Sequence, residues 1–313
     1  MLELRKDYIL DRWVISASVR DQRPKQFKIT HEKVEPKLCV FCPENINLTP
    51  SETGRVEKNG KWILRWFANK FPFVEQKGNP KLRKTGKFLV NSAGYGDHEV
   101  IVDTNSHDKQ LWDKDKNHIS ELLKVIAKRI TEMEKVKCIK YVLAFKNHGE
   151  KAGTSILHSH VQLASVAMIP TEIKTKIAAV NEHKRCPYCE IIKIESKSKR
   201  KCFENKDFVA FAPYASRFNY EIWFFPKRHV TRMENLKESE ISSLAELIHK
   251  TLTKLKSINA SYNLFIQYSP GKEDLHFHIE ITPRIATWAG FEFSSGIVIN
   301  SVSPESAAGF YRS

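Results

Sequence analysis

Residues Phe145 to Gln162, F-K-N-H-G-E-K-A-G-T-S-I-L-H-S-H-V-Q, hold side chains able to handle a phosphoryl group. His158, His160 and Gln162 recur at period two, so on a strand they share one face. Ahead of them lies a loop with Gly149 and Gly153, whose backbone N–H groups can receive phosphate oxygens. The Gln162 amide can donate to a further oxygen, and one imidazole can attack phosphorus. A strand with polar residues turned to solvent would show the same period, so the surrounding pattern has to discriminate.

That pattern is a set of metal-ligand residue types, and it occurs twice. Four of the six cysteines form C-x-x-C pairs, Cys39/Cys42 and Cys186/Cys189. Without a secretion signal, such pairs point to metal rather than disulfide. Cys39, Cys42, His107 and His158 offer two thiolates and two imidazoles. Cys186, Cys189, His229 and His276 offer the same, in the same order. Zinc favours such a tetrahedral set, and four protein ligands leave no open position, so two structural zinc sites are expected. Buried cysteines with surface histidines would not explain the repetition. Each metal would fix an H-x-H strand against a Cys-bearing loop. His160 would then be unligated but oriented, and a neutral imidazole so held is a usable nucleophile. His278 holds the equivalent place in the second half, but its partner is Glu280 instead of glutamine. A carboxylate repels phosphate, so only the first half is expected to do chemistry. Cys138 and Cys202 lack near partners and read as packing residues.

The elements that must position these groups follow from periodicity. Ile139–Ala144 is apolar and β-branched and reads as a strand leading into the motif. Trp62–Phe67 and Glu99–Asp103 read as strands, the latter leading to His107. Ile119, Leu122, Leu123, Ile126, Ile130 and Met133 mark one face of a helix between residues 113 and 135. The second half replays the order: C-x-x-C, strands at Phe208–Phe211 and Glu221–Phe225, His229, a helix over Glu238–Ser257, a strand at Tyr262–Tyr268, then H-x-H. From Glu99 to His107 is eight positions, and from Glu221 to His229 is again eight. A repeat of this length is a duplicated domain. The expected fold is α+β, with antiparallel sheets flanked by helices and two like domains, 1–180 and 181–313. Tyr8–Leu10 and Trp13–Ser16 suggest a hairpin or strand. Residues 26–60 read as irregular and 76–87 as a mobile stretch.

Composition bounds the rest. With 313 residues, 41% hydrophobic and 28% charged, the chain is that of a soluble globular protein of one large or two ordinary domains. No run approaches the ~18 apolar residues of a membrane span, and the first 30 residues lack a signal-peptide core, so a cytoplasmic location is expected. The net charge of +15 attracts phosphates in nucleic acids, nucleotides or sugar phosphates. The basic run Lys193–Lys201 reads as a solvated loop, and nucleic-acid binding there is the lesser expectation.

These residues resemble the galactose-1-phosphate uridylyltransferase family of the histidine-triad superfamily over nearly the whole chain. The resemblance lies in Arg20–Pro24, Cys39–Pro43, Asn69–Pro72, Phe145–Gln162, Phe208 through His229, and His276–Arg284. It implies a ping-pong nucleotidyl transfer in which His160 attacks the α-phosphorus of a nucleotide sugar. Sugar 1-phosphate leaves, and a second sugar 1-phosphate takes the nucleotide from the histidine. Gln162 is the second catalytic residue, and Asn147 and Ser155 join it at the phosphate oxygens. Arg20 and Arg23 lie near phosphate, and Asn69, Gly153 and Ser159 complete the expected substrate contacts. A homodimer with active sites near the subunit interface is also implied. The family motif is H-P-H, where this chain has Ser159 in the middle. That departure, Cys186-Pro187-Tyr188-Cys189, the His276–Arg284 segment and Ala289–Glu292 are more similar to the ADP-glucose phosphorylase branch, which uses adenine and a phosphate acceptor. The expected activity is UDP-glucose:hexose-1-phosphate uridylyl transfer. The alternatives are an ADP-glucose phosphorylase-type reaction and a non-catalytic nucleotide- or RNA-binding protein. Some bacterial uridylyltransferases bind iron through a glutamate after the active-site strand. The register here falls on Lys176, so no iron site is expected.

Overall fold

Alternation and turn chemistry set the strand elements in residues 2–17 and 39–313, which the computed structural model describes. The chain opens with β1 (Leu2–Lys6) and β2 (Trp13–Ala17), an antiparallel hairpin. Tyr8–Leu10 is its turn, not a strand: Asp7 Oδ1 accepts the backbone N–H of Ile9 and Leu10. Next come β3 (Glu52–Lys58) and β4 (Lys61–Ala68). The expectation of irregular chain up to residue 60 fails here. Asn59 and Gly60 adopt φ of 52° and 71°, the backbone of a tight hairpin turn, so β3 pairs with β4. β5 (Arg83–Thr85) and β6 (Leu89–Asn91) make a small hairpin partly within the stretch read as mobile.

β7 (His98–Val102), α1 (Lys116–Glu134), β8 (Tyr141–His148) and β9 (His160–Val166) follow the expected order. α1 buries the six apolar residues of its expected face, and Asp115 caps its start by accepting the His118 N–H. α2 (Thr171–Asn181) and α3 (Pro187–Glu195) were not anticipated; Cys186 begins α3, and Lys193 lies in it. β10 (Lys201–Glu204), β11 (Phe208–Phe211), β12 (Ile222–Pro226), α4 (Glu238–Ser257), β13 (Tyr262–Gln267) and β14 (His278–Pro283) then repeat the first half. α5 (Gly290–Ser295), β15 (Val298–Asn300) and α6 (Pro304–Arg312) close the chain, with β15 parallel to β2. Cys202 is buried, but Cys138 is exposed at a φ of 73°, so the packing role expected of it fails.

One ten-stranded antiparallel sheet unites the halves, in the order β10-β11-β12-β14-β13-β8-β9-β7-β4-β3. Read inward from each edge, the order is the same: β3-β4-β7-β9-β8 against β10-β11-β12-β14-β13. The seam is β8 against β13, with Phe145 opposite Phe265 and Asn147 opposite Asn263. Residue 180 lies in α2, so both halves contribute to a sheet that continues across the expected division.

The two sheet faces differ. Leu64, Trp66, Ile101, Val142, Ala144, Val161 and Leu163 join the apolar faces of α1 and α4 in the main core. Residues one position away point to the opposite face. There, in the first half, Phe67, Val100 and Val102 pack with Cys39, Phe41 and Cys42 in a separate small cluster. His160 and Gln162 belong to this second face. Among the described residues no helix is long and apolar enough to cross a membrane.

Candidate active site and metal centres

The Cys-bearing turn and the H-x-H segment meet as their spacing suggested. Cys39, Cys42, His107 and His158 converge, and so do Cys186, Cys189, His229 and His276, each set with its donor atoms within 4.8 Å of one another. In the first set Cys39 Sγ and Cys42 Sγ each lie 3.6 Å from His158 Nδ1, and Cys42 Sγ lies 3.3 Å from His107 Nδ1. In the second, Cys186 Sγ and Cys189 Sγ lie 3.9 and 3.7 Å from His276 Nδ1, and Cys189 Sγ lies 3.4 Å from His229 Nδ1. Bond lengths of about 2.3 Å to sulfur and 2.05 Å to nitrogen in a tetrahedron give an S···N edge of about 3.6 Å. Both sets therefore fit a four-coordinate metal. Burial pushes the Cys42 and Cys186 thiols up to about 12, so without a cation to displace the proton they would be neutral. The far ring nitrogens are also held. His158 Nε2 donates to the Thr104 carbonyl at 2.7 Å, and His229 Nε2 lies 2.8 Å from Asp274 Oδ1.

His160 stands at the start of β9, 5% exposed. Its Nδ1 donates to the His158 carbonyl at 2.9 Å, which leaves Nε2 with the lone pair. Phe41, from between the two cysteines, packs edge-on to the His160 ring at 5.3 Å and to the His158 ring at 6.2 Å. The Cys-bearing turn thus wedges the nucleophile candidate. Burial first, and then the Lys146 charge, hold His160 down to about 4, so the ring is neutral near pH 7.

Gln162 is oriented by a residue that sequence reasoning missed. His98, at the start of β7, has Nε2 2.9 Å from Gln162 Oε1 and 3.2 Å from Asn69 Nδ2. With its carbonyl oxygen engaged by His98, Gln162 has an NH2 group that meets no acceptor among the described residues. His98 is buried, kept below the ordinary histidine range by that burial, and covered by Phe73 at 4.3 Å. Only the pairing of β7 with β9 brings it there. Asn147 is treated alike: its Oδ1 accepts from Asn263 Nδ2 at 2.8 Å, and its own NH2 meets no acceptor among the described residues. Gly149 and Gly153 adopt φ of 81° and 79°, and a Cβ on Gly149 would lie 2.2 Å from Ser261 Oγ, so the loop requires glycine. Ser155 is exposed in that loop. Arg20 and Arg23 lie outside the described residues. Ser159 departs from the expected substrate contact: it is 2% exposed, and its hydroxyl meets Lys146 Nζ at 2.8 Å. A cavity of about 350 Å³ opens beside the site across the seam, lined by Phe145, Asn147, Asn263, Phe265, Arg217 and Glu172 among others.

The second half keeps the clamp and closes the site. His278 Nδ1 donates to the His276 carbonyl at 2.8 Å, as in the first half. Its ring is fully buried, stacked on Phe225 at 4.7 Å and near Tyr188 of α3 at 5.4 Å. Lys176 of α2 places Nζ 3.2 Å from His278 Nε2 and pairs with Glu280, which also binds Arg217 at 3.2 Å. Lys176 thus lies inside a buried ion-pair network over His278.

The DUF4921 family, described as a domain of unknown function, matches residues 95–309, and the DUF4931 N-terminal domain matches residues 18–169. An ADP-glucose phosphorylase of Arabidopsis thaliana is 31% identical, over 99% of this chain and 92% of its own. A galactose-1-phosphate uridylyltransferase of Thermotoga maritima is 28% identical, over 98% and 97%. The crystal structure of an Arabidopsis thaliana ADP-glucose phosphorylase with bound ADP-glucose superposes with a TM-score of 0.85 at 29% identity, covering 100% of this chain and 98% of that one. With the duplicated sheet and the paired H-x-H segments, these likenesses mean that the chain belongs to the galactose-1-phosphate uridylyltransferase family of nucleotidyltransferases, with ADP-glucose phosphorylase among its relatives.

Proposed function

We propose that this enzyme transfers a nucleotidyl group from a nucleotide sugar through a covalent bond to His160, in two steps. In the first, the Nε2 lone pair attacks the α-phosphorus, an N–P bond forms, and the P–O bond to the sugar phosphate breaks. Sugar 1-phosphate leaves with that electron pair. In the second, an acceptor oxygen attacks phosphorus and the N–P electrons return to Nε2. The ring stays charged only while the bond lasts, and the Nδ1–H to the His158 carbonyl stabilises that charge. Gln162 and Asn147, each with an NH2 group unpaired among the described residues, hold phosphate oxygens as charge shifts, with Ser155 and the Gly149–Gly153 loop. Arg20, Arg23 and Asn69 complete the substrate contacts. Ser159 acts from behind the strand.

The observation that carries this reading is the buried His160, with Nδ1 held by the His158 carbonyl at 2.9 Å and Gln162 on its own face. The first reading of the reaction is UMP transfer from UDP-glucose to a hexose 1-phosphate such as galactose 1-phosphate. The second is phosphorolysis of ADP-glucose, favoured by the 31% identical relative and by the ligand in the similar crystal structure. The two Cys2His2 sets bind zinc in a structural role. The enzyme works as a cytoplasmic homodimer of chains built from residues 1–180 and 181–313, and the positive charge serves phosphorylated small molecules, not nucleic acid. Incubation with UDP-glucose or ADP-glucose, followed by mass spectrometry of the His160 peptide, tests the reading. UMP or AMP on His160 is the expected product and names the base; label from neither donor refutes it.

A further inference from the structure

Behind the strand that carries His160 lies a buried ion pair that the transfer chemistry does not use. Lys146 of β8 is 1% exposed, on the face opposite Phe145 and Asn147. Its Nζ donates to Asp103 Oδ2 at 2.7 Å, to Ser159 Oγ at 2.8 Å and to the His160 carbonyl at 3.0 Å. Asp103 is fully buried, and its backbone N–H donates to the Ser159 carbonyl at 3.2 Å. The peptide from His158 to His160 is therefore held from behind at three atoms.

The duplicated half shows what the fold itself requires at these places. Phe145 faces Gln162 across β8 and β9, and Phe265 faces Glu280 across β13 and β14. Lys146 therefore corresponds to Ile266, and Ser159 to Phe277 between the second pair of histidines. The β12 residues beside that segment, Phe225 and Pro226, carry no charge. Ile266, Phe277 and Pro226 are all buried. The same architecture thus closes with hydrocarbon where it does no chemistry, and there the Nδ1–H tautomer of His278 is held from the front, by Lys176 Nζ at 3.2 Å from Nε2. Replacing a buried ion pair with hydrocarbon is often neutral or stabilising, so stability alone does not account for Lys146 and Asp103. Asp103 Oδ1 has no hydrogen-bond partner among the described residues, which makes the pair still less favourable as a purely structural device.

We propose that Lys146, Asp103 and Ser159 are positioning residues for the nucleophile: they lock the His158–His160 peptide so that the His158 carbonyl keeps His160 protonated on Nδ1, with Nε2 turned to phosphorus. The inference rests on His160 being the nucleophile. It deepens that reading by separating the half that reacts from the half that only folds.

The test uses the full chain with its metals and the double variant Asp103→Leu/Lys146→Met, which exchanges the pair for hydrocarbon as the second half does. Two quantities are read. One is the single-turnover rate of His160 labelling by the donor that labels the wild type. The other is the His160 tautomer, from long-range 1H–15N spectra of histidine-labelled protein, assigned with His160→Asn. The double variant should keep its thermal midpoint and half-saturating donor concentration, lose about 10–100-fold in labelling rate at saturation, and show a mixed tautomer. A folded double variant with wild-type rate and a single Nδ1–H tautomer overturns the proposal. Should the double variant not fold, Ser159→Ala decides: a loss of about threefold or more with unchanged donor affinity supports the network, and an unchanged rate overturns it. If the wild type takes label from neither donor, the functional reading fails, and the tautomer comparison still decides whether the network orients the ring.

Discussion

Gln162→Glu puts into the first half the residue that the second half carries as Glu280, and its effect can be worked from the sheet geometry. His160 and Gln162 are successive residues on one strand face, roughly 6.5–7 Å apart along β9. A phosphoryl group on His160 Nε2 then lies about 5 Å from the new carboxylate. At an effective dielectric constant of about 20, one unit charge at that distance costs about 3 kcal/mol. The oxygens lose a donor as well, so kcat/KM for nucleotidylation should fall by about 100-fold or more. His98 modulates the loss. It lies beside Gln162 Oε1, and a carboxylate there would raise its affinity for a proton. A protonated His98 offsets the new charge at acid pH, so the deficit should widen as pH rises and His98 becomes neutral. The assay is the second-order labelling rate of His160 against pH, with Gln162→Met as the neutral control. A glutamate variant within about threefold of wild type at pH 8 would refute the electrostatic account of why only one half reacts.

Other outcomes follow from the same geometry. His160→Asn should abolish labelling with the thermal midpoint and metal content retained, whereas His158→Ala should lose one metal equivalent and stability, read by metal assay and calorimetry. Lys176→Met leaves Glu280 buried with only Arg217 and His278 beside it among the described residues and should cost about 3–5 kcal/mol near pH 7 in urea unfolding. Burial opposes the charge on Glu280, but Lys176, His278 and Arg217 hold its carboxyl well below its ordinary 4.5. Its stabilisation is therefore complete above about pH 4.5 and lost as pH falls towards the folded value, so the Lys176→Met deficit should shrink in that window. Chelation should release metal in two phases. The faster should come from Cys186, Cys189, His229 and His276, because the His229 side chain is 37% exposed while Cys39, Cys42 and His158 are buried. Cys189→Ser should remove the fast phase; its persistence would refute the assignment.

Local periodicity made much of this enzyme legible. α4 and β11 have the boundaries that apolar spacing predicts, because a 3.6-residue or two-residue repeat is a property of the chain itself. The two C-x-x-C pairs and two H-x-H segments announced the clusters because ligand type and order survive without coordinates. The unforeseen elements had weaker local signals. α2 is short, with an interrupted apolar face that includes buried Lys176, and the Asn59-Gly60 turn follows a stretch broken by Pro36, Pro43 and Pro50.

The amino-acid order by itself determined the duplication, the Cys/His clusters, the apolar helix faces and the imidazole proposed as nucleophile, since each depends on residue type at short or repeated separation. Tertiary structure alone decided which polar groups became neighbours. Strand register set His98 against Gln162 and Lys146 beneath Ser159, and α2 brought Lys176 over His278 from 102 positions away. Such partners meet only when strands from distant parts of the chain pair. The difference between the open surroundings of Gln162 and the closed ion-pair network around His278 therefore became visible only in the folded sheet.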